Sequence, residues 1–415
     1  MRRDRTHHQR DRATRRSARM LLAATLVPVA LLTVLGLITL WPHDVDHQIR
    51  KDVVRTGGTT FVPGTIQSVR PVSCGETDAS AGSPQAADAG APDDHCAVLR
   101  MGVDGGPERG TLVDVTVDAV VLALSPHPGQ RLQLARAQIP GEQPAYQFAD
   151  FERDRPLALI AALFVLVVVL VARWRGLLAL LGLGVAGAVL VLFVFPALIT
   201  GAQPVLVGLV GSLAIMYVVL YCTHGFSVRT STALLGTVFG LALAALLGWG
   251  ATRWTHLTGA VSDDDYLLGQ AAPHMHLTAV VMCGMIIAGL GVLNDVTITQ
   301  ASAVWELAEA GAGDNPRSLY RRAIRIGRDH IASTIYTIAF AWAGASLGTL
   351  LLISVYDRPL LDVARSELIA AELVSTLVGS IALVLSVPVT TAVAVAVVSQ
   401  ARERTTPRTV ATADI

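Results

Sequence analysis

The sequence predicts a mainly α protein: a polytopic bundle of about eight transmembrane helices carrying one small extracytoplasmic β-barrel-like domain. Three observations lead there. Hydrophobic residues make up 52% of the chain and charged residues only 15%, where a water-soluble domain carries about a quarter charged; mean hydropathy is +0.53. The missing charge is concentrated in long runs that hold no Asp, Glu, Lys or Arg at all. One polar stretch, residues 42–155, interrupts these runs with the alternation of short strands.

Residues 1–19 form a basic tail with Arg15, Arg16 and Arg19 closest to the first apolar run, 20–40. A run of about 20 apolar residues spans a bilayer. A cleaved signal peptide has a shorter apolar core and a small-x-small exit, but this run leaves through Leu40-Trp41-Pro42-His43. Residues 20–41 therefore read as an uncleaved signal anchor. Further runs lie at 156–172, 176–198, 204–222, 231–250, 277–293, 331–355 and 373–398, giving a membrane domain over 156–400 and a tail at 401–415.

Charge orients these spans. Connections on one side hold Arg173 and Arg175, then Arg229, then Arg317, Arg321, Arg322, Arg325 and Arg328, and finally Arg402, Arg404 and Arg408. An opposite connection carries Asp263, Asp264 and Asp265. Arginine gathers on the cytoplasmic side of membrane helices. Both termini are thus expected in the cytoplasm, with the protein in the cell membrane.

Within 42–155, the segments 61–66, 96–101, 111–117 and 131–134 alternate in the manner of strands, separated by Gly105-Gly106-Pro107 and Pro126-His127-Pro128-Gly129. About five short strands suit a small barrel or sandwich, an OB-like barrel first. No aromatic or basic binding face stands out there, so a folded spacer or a module docking an envelope protein is expected. Cys74 and Cys96 flank residues 75–95, an insert rich in Ala, Gly, Asp and Pro that reads as disordered. Outside the cytoplasm a disulfide closing that insert is the natural reading. Cys222 and Cys283 lie in apolar runs and read as inert helix residues.

Ionisable groups are costly in hydrocarbon, so each one in or beside a span is a functional candidate. Asn294-Asp295 follows a charge-free run dense in small residues between Gly284 and Gly291. Small residues let helices approach closely, and a carboxylate held there can alternate between its protonated and charged forms. Glu306, Arg328, Asp329, His330 and Thr337 follow downstream; His224 lies beyond the run 204–222, and Glu367 and Glu372 precede the last run. His224, Asp329, His330 and Glu372 also fit span boundaries, where polar side chains meet headgroups. Glu367 and Glu372, five apart, do not share a helix face.

Enzyme signatures are not recognised: no His-Glu-x-x-His pair for zinc, no Walker loop and no nucleophile elbow on a strand-to-helix turn. Gly182-x-Gly184 has no preceding strand and reads as a packing position. No enzyme activity, metal or cofactor is expected. The balance of 32 basic and 32 acidic residues gives no reason to expect a nucleic-acid partner. The expected partners are the lipid bilayer, a small-molecule or ion substrate, and an envelope protein.

Several blocks then carry a resemblance. Asp150-Phe151-Glu152-Arg153, Arg173-Trp174-Arg175-Gly176-Leu177, and the segment from His224 to Thr230 come first. Gly289-Leu290-Gly291-Val292-Leu293-Asn294-Asp295-Val296 with Glu306-Leu307, Ile326-Gly327-Arg328-Asp329, Tyr336-Thr337, Ala343-Gly344, and Pro388 with Thr390 complete the set. In this order they resemble the YibE/F-like family of bacterial membrane proteins, from about Phe61 onwards; Asn294 stands where that family commonly has glycine. The resemblance implies a multi-pass membrane protein without an established substrate. A shorter likeness, over Asn294, Asp295, Glu306, Arg328 and Thr337, is to SecD/SecF and RND-type transporters, where acidic and polar positions serve proton-driven movement. The expected function is transporter- or permease-like and proton-linked; the alternative is a non-transporting scaffold whose outer domain docks a partner.

Overall fold

The computed structural model describes residues 2–50, 59–74, 95–138, 143–311, 315–355 and 359–403. Residues 75–94 of the expected insert and the tail beyond 403 lie outside them. The chain divides into two compact units, Lys51–Leu170 on the one hand and Met1–Arg50 with Val171–Ile415 on the other.

The first unit is built on one antiparallel sheet of strands β1 (Thr60–Ser73), β2 (His95–Val103), β3 (Leu112–Val117), β4 (Arg131–Ala137) and β5 (Ala145–Phe151), in the order β3-β2-β1-β4-β5. The long central β1 pairs with β4 over Thr60 to Thr65 and with β2 from Gly64 to Ser73. A register shift between Ile66 and Ser68 bends it, as an extra residue on one strand does. Val62, Ile66, Leu99, Met101, Val115, Val117, Leu132 and Leu134 project from one face and form the core. The sheet curls until β3 and β5 come near each other, but they share no ladder, so the expected barrel is only half closed. Cys74 and Cys96 are disulfide-bonded, with Cα atoms 5.0 Å apart. At the rim, Arg136 makes a bidentate contact to Glu108 at 2.8 and 2.6 Å, and the Tyr146 hydroxyl donates to the same carboxylate at 3.1 Å.

The long helices are α1 (Arg2–Thr39), α2 (Asp154–Val189), α3 (Pro204–His224), α4 (Val228–Trp254), α5 (Leu277–Glu309), α6 (Pro316–Ala345), α7 (Leu347–Val355) and α8 (Glu367–Glu403). Among the described residues, six helical stretches are long and apolar enough to cross a membrane, or seven if α6 and α7, bent by 65°, count as one broken span. The expected count of eight is not reached. The runs at 156–172 and 176–198 fall in a single 46-residue stretch, Asp154–Ile199. Its backbone leaves helical geometry at Arg173 (φ 54, ψ −134) and widens to a π-helical turn at Leu190–Val194.

The centre of the helical unit is α4, α5 and α8. Gly236, Gly240, Ala244 and Gly248 recur every four residues along α4 and so share a face. A Cβ at Gly240 would stand 2.5 Å from Leu293 Cδ2, and one at Gly236 would overlap Thr390 of α8. Close approach of this kind is how helices associate without a hydrophobic driving force. Around this core, Tyr217 of α3 donates to the Leu26 carbonyl of α1 at 2.7 Å. Ser227 and Asn315 cap α4 and α6 by accepting backbone N–H bonds at 3.0 Å each.

Candidate functional site

The polar residues of α5 stand at three levels. Glu306, on its last turns, faces Arg229 of the first turn of α4 at 4.0 Å. Six residues earlier, or roughly 9 Å along the axis, Gln300 donates to the Ala323 carbonyl at 3.0 Å and to Thr391 Oγ1 at 2.7 Å. Gly327 makes room for it, since a Cβ there would lie 2.8 Å from Gln300 Oε1 and 2.6 Å from Val387. Further in, Asp295 Oδ2 stands 3.6 Å from His330 Nε2 of α6. That is ion-pair range, longer than a hydrogen bond.

The pair is only half enclosed. The side chain of His330 is 31% exposed and that of Asp295 68%. Asn294 Oδ1 and His330 Nε2 are nonetheless buried atoms with no hydrogen-bond partner, and such atoms cost free energy until a partner or proton arrives. A carboxylate and an imidazole are both groups that can hold a proton, and this pair brings one of each into ion-pair range.

Beside the pair runs a polar outer face. Asp295, Thr299 and Glu306 are exposed on α5, and Arg317, Arg321, Arg325 and Arg328 on α6. The four arginines, spaced four, four and three apart, fall within about 80° of one another around the helix at 3.6 residues per turn. Leu319, Ala323 and Gly327 are the buried side of the same helix.

Sequence reasoning named Asp295, Asn294, Glu306, Arg328, Asp329, Thr337, His224 and Glu372. The structure joins Asp295 to His330 and places Arg328 and Asp329 immediately before that histidine. Glu306 engages Arg229 instead. Thr337 is exposed and donates to the Ser333 carbonyl at 3.0 Å. His224 closes α3, its Nδ1 2.7 Å from Thr223 Oγ1, and Glu372 is exposed near the start of α8; neither lies on α5 or α6. Among the described residues, no three of His, Cys, Asp and Glu are grouped to hold a metal ion.

Several polar contacts escaped the sequence reading. Thr237 and Thr297 meet at 2.7 Å between α4 and α5, and Ser386, Thr390 and Thr391 are fully buried on α8. Their visible signal was small polar residues at helical spacing opposite small residues on α4. Glu367 accepts from Thr258 Oγ1 at 2.9 and 2.8 Å and from the Gly259 N–H at 2.7 Å, tying that loop to the first turn of α8. The string Gly344-Ala345-Ser346-Leu347-Gly348 matches the letters of a nucleophile elbow, but Ser346 sits between two helices, α6 and α7, where no strand leads into it.

No curated protein and no solved structure matches the chain. Nothing found supports the likeness to SecD/SecF and RND-type transporters. The model of the YibE/F-like protein family matches residues 160–400, which takes in α5 and α6 and leaves the five strands outside. The chain, matched over more than half of its length, belongs to the YibE/F-like family of membrane proteins.

Proposed function

We propose that this protein is a permease or transporter of the bacterial cell membrane, with the Asp295–His330 pair as its proton-carrying element. The observation that carries this reading is the position of the pair. Leu293 packs on Gly240, eleven residues and roughly 16 Å from Arg229 along α4. With Arg229 at the membrane edge and a hydrocarbon core about 30 Å thick, a titratable pair stands near the midplane. Ionisable groups at that depth are costly, and where they occur they mark ion or proton pathways.

The same reading has both termini in the cytoplasm, by the arginines at Arg229, Arg317 and Arg321. It also has the Asp154–Ile199 stretch cross twice, since 46 residues extend roughly 69 Å at 1.5 Å per residue, more than twice the core thickness. Solute and metal content is to be compared between cells with and without the protein. A difference should vanish in Asp295→Asn and His330→Gln at equal expression, and survive in Asp295→Glu. Full function in Asp295→Asn would sink the proton-linked role.

A second reading is favoured by the surface of the β unit, where Phe61, Leu112, Val120 and Leu124 are large, apolar and more than half exposed. It makes the protein an accessory that docks an envelope partner through these residues. Under it, Phe61→Ser with Val120→Ser abolishes function while Asp295→Asn is harmless.

A further inference from the structure

We infer that a second copy of this chain covers the α5–α6 face, so that the functional unit is a dimer enclosing two Asp295–His330 pairs. The argument begins with depth. Leu22 and Val397 pack together with Val228 beside them, at the end of the bundle where Arg229 meets Glu306. Gly327 lies against Val387, ten residues before Val397 and therefore roughly 15 Å further in along α8. Arg328, next to Gly327, thus stands near the midplane of a core about 30 Å thick, and it is exposed. A guanidinium at that depth cannot be left facing acyl chains, and snorkelling reaches only the flanks of the core.

Nothing described in the chain neutralises it. Among the described residues, Arg317, Arg321, Arg325 and Arg328 pair with no carboxylate, while Asp295, Glu306, Glu309 and Asp329 are exposed beside them. The face is therefore self-complementary, with exposed acids mainly on α5 and exposed bases on α6. A twofold axis along the membrane normal sets each helix against its opposite in the partner, which is the arrangement an isologous interface requires. The groove between α6 and α8 adds shape to charge. It has a volume of about 690 Å³ and is rimmed by Arg317 and Arg321 over Tyr320, Ala392 and Ala396. Alanines four apart leave room for a partner helix to approach closely.

The inference does not depend on transport, because oligomeric state is read without a substrate. In native membranes, and in a Cys222→Ser background, Thr299→Cys and Ala332→Cys should each give an oxidative cross-link at twice the monomer mass of 43.7 kDa. Leu246→Cys, exposed on α4, should not. Native mass spectrometry of the full chain should find two copies, falling to one in Arg325→Glu/Arg328→Glu, with an unchanged melting profile of the separated monomer showing that it remains folded. A single copy carrying anionic phospholipids, or cross-linking at Leu246→Cys equal to that at Thr299→Cys, overturns the dimer. So does a wild-type dimer that the charge reversal leaves intact.

Discussion

Two carboxylates illustrate how differently the same chemical group is used in the two units. Glu108 sits outside the membrane-spanning segments, and the hydrogen bonds from Arg136 hold its pKa below the ordinary carboxylate value of 4.5, with burial opposing and Tyr146 assisting. A group whose folded value is depressed adds stability above its unfolded value and loses it as pH falls through the folded one. Glu108→Gln should therefore lower the unfolding midpoint at neutral pH and flatten its decline below about pH 4.5. Heat unfolding of the full chain across pH 2–7 checks this, and parallel curves for variant and wild type would refute it. Asp295 is held by no such fork; it has one imidazole at 3.6 Å. The reading of it as a working group predicts that Asp295→Asn costs activity far more than stability. Equal losses of both, measured as expression and melting point beside the cellular phenotype, would make it a packing residue.

At the scale of elements, α4 is the helix on which the bundle depends. Its glycine stripe presents no side chains, so Leu293, Ser386 and Thr390 of its neighbours fill the space. Gly240→Ala already places a Cβ 2.5 Å from Leu293, and overpacking of this kind costs about 1–3 kcal/mol. Unfolding in mixed micelles should shift accordingly, whereas Gly250→Ala, whose Cβ meets nothing within 4 Å, should be silent or slightly favourable. A helix-wide softness that made both substitutions equal would contradict the packing argument. The α6–α7 bend is a second element-scale feature: the run at 331–355 reads as one straight span by hydropathy, yet the chain turns by 65° there. Hydropathy measures how apolar a stretch is and carries no information about where its axis bends.

At the scale of the molecule, the sheet and the helical bundle correspond to two solvents. The β unit has a core of alternating side chains and a disulfide, as a water-exposed domain does. The helical unit buries polar groups, among them Thr237, Thr297, Gln300 and Thr391, and exposes leucine and valine. Reporter fusions after residues 226 and 311 should both report the cytoplasm and a fusion at residue 261 the opposite side, if arginine sets the orientation. A cytoplasmic signal at 261 would reverse that topology.

The membrane class, most of the helices and the alternation of the strands were legible in the residues, because burial in lipid and pleating both leave a local period or a local absence of charge. The strand β5 was missed, since Ala145-Tyr146-Gln147-Phe148 alternates only weakly and its partner β4 lies at no fixed sequence offset. The choice of His330 over Glu306 or Thr337 as the partner of Asp295 was equally invisible. So was the burial of Gln300 against Thr391, 91 residues away. Composition and periodicity report what one segment prefers as its solvent. Which segments then meet is settled by the fit of side chains across helices distant in sequence, and only the folded chain brings those surfaces together.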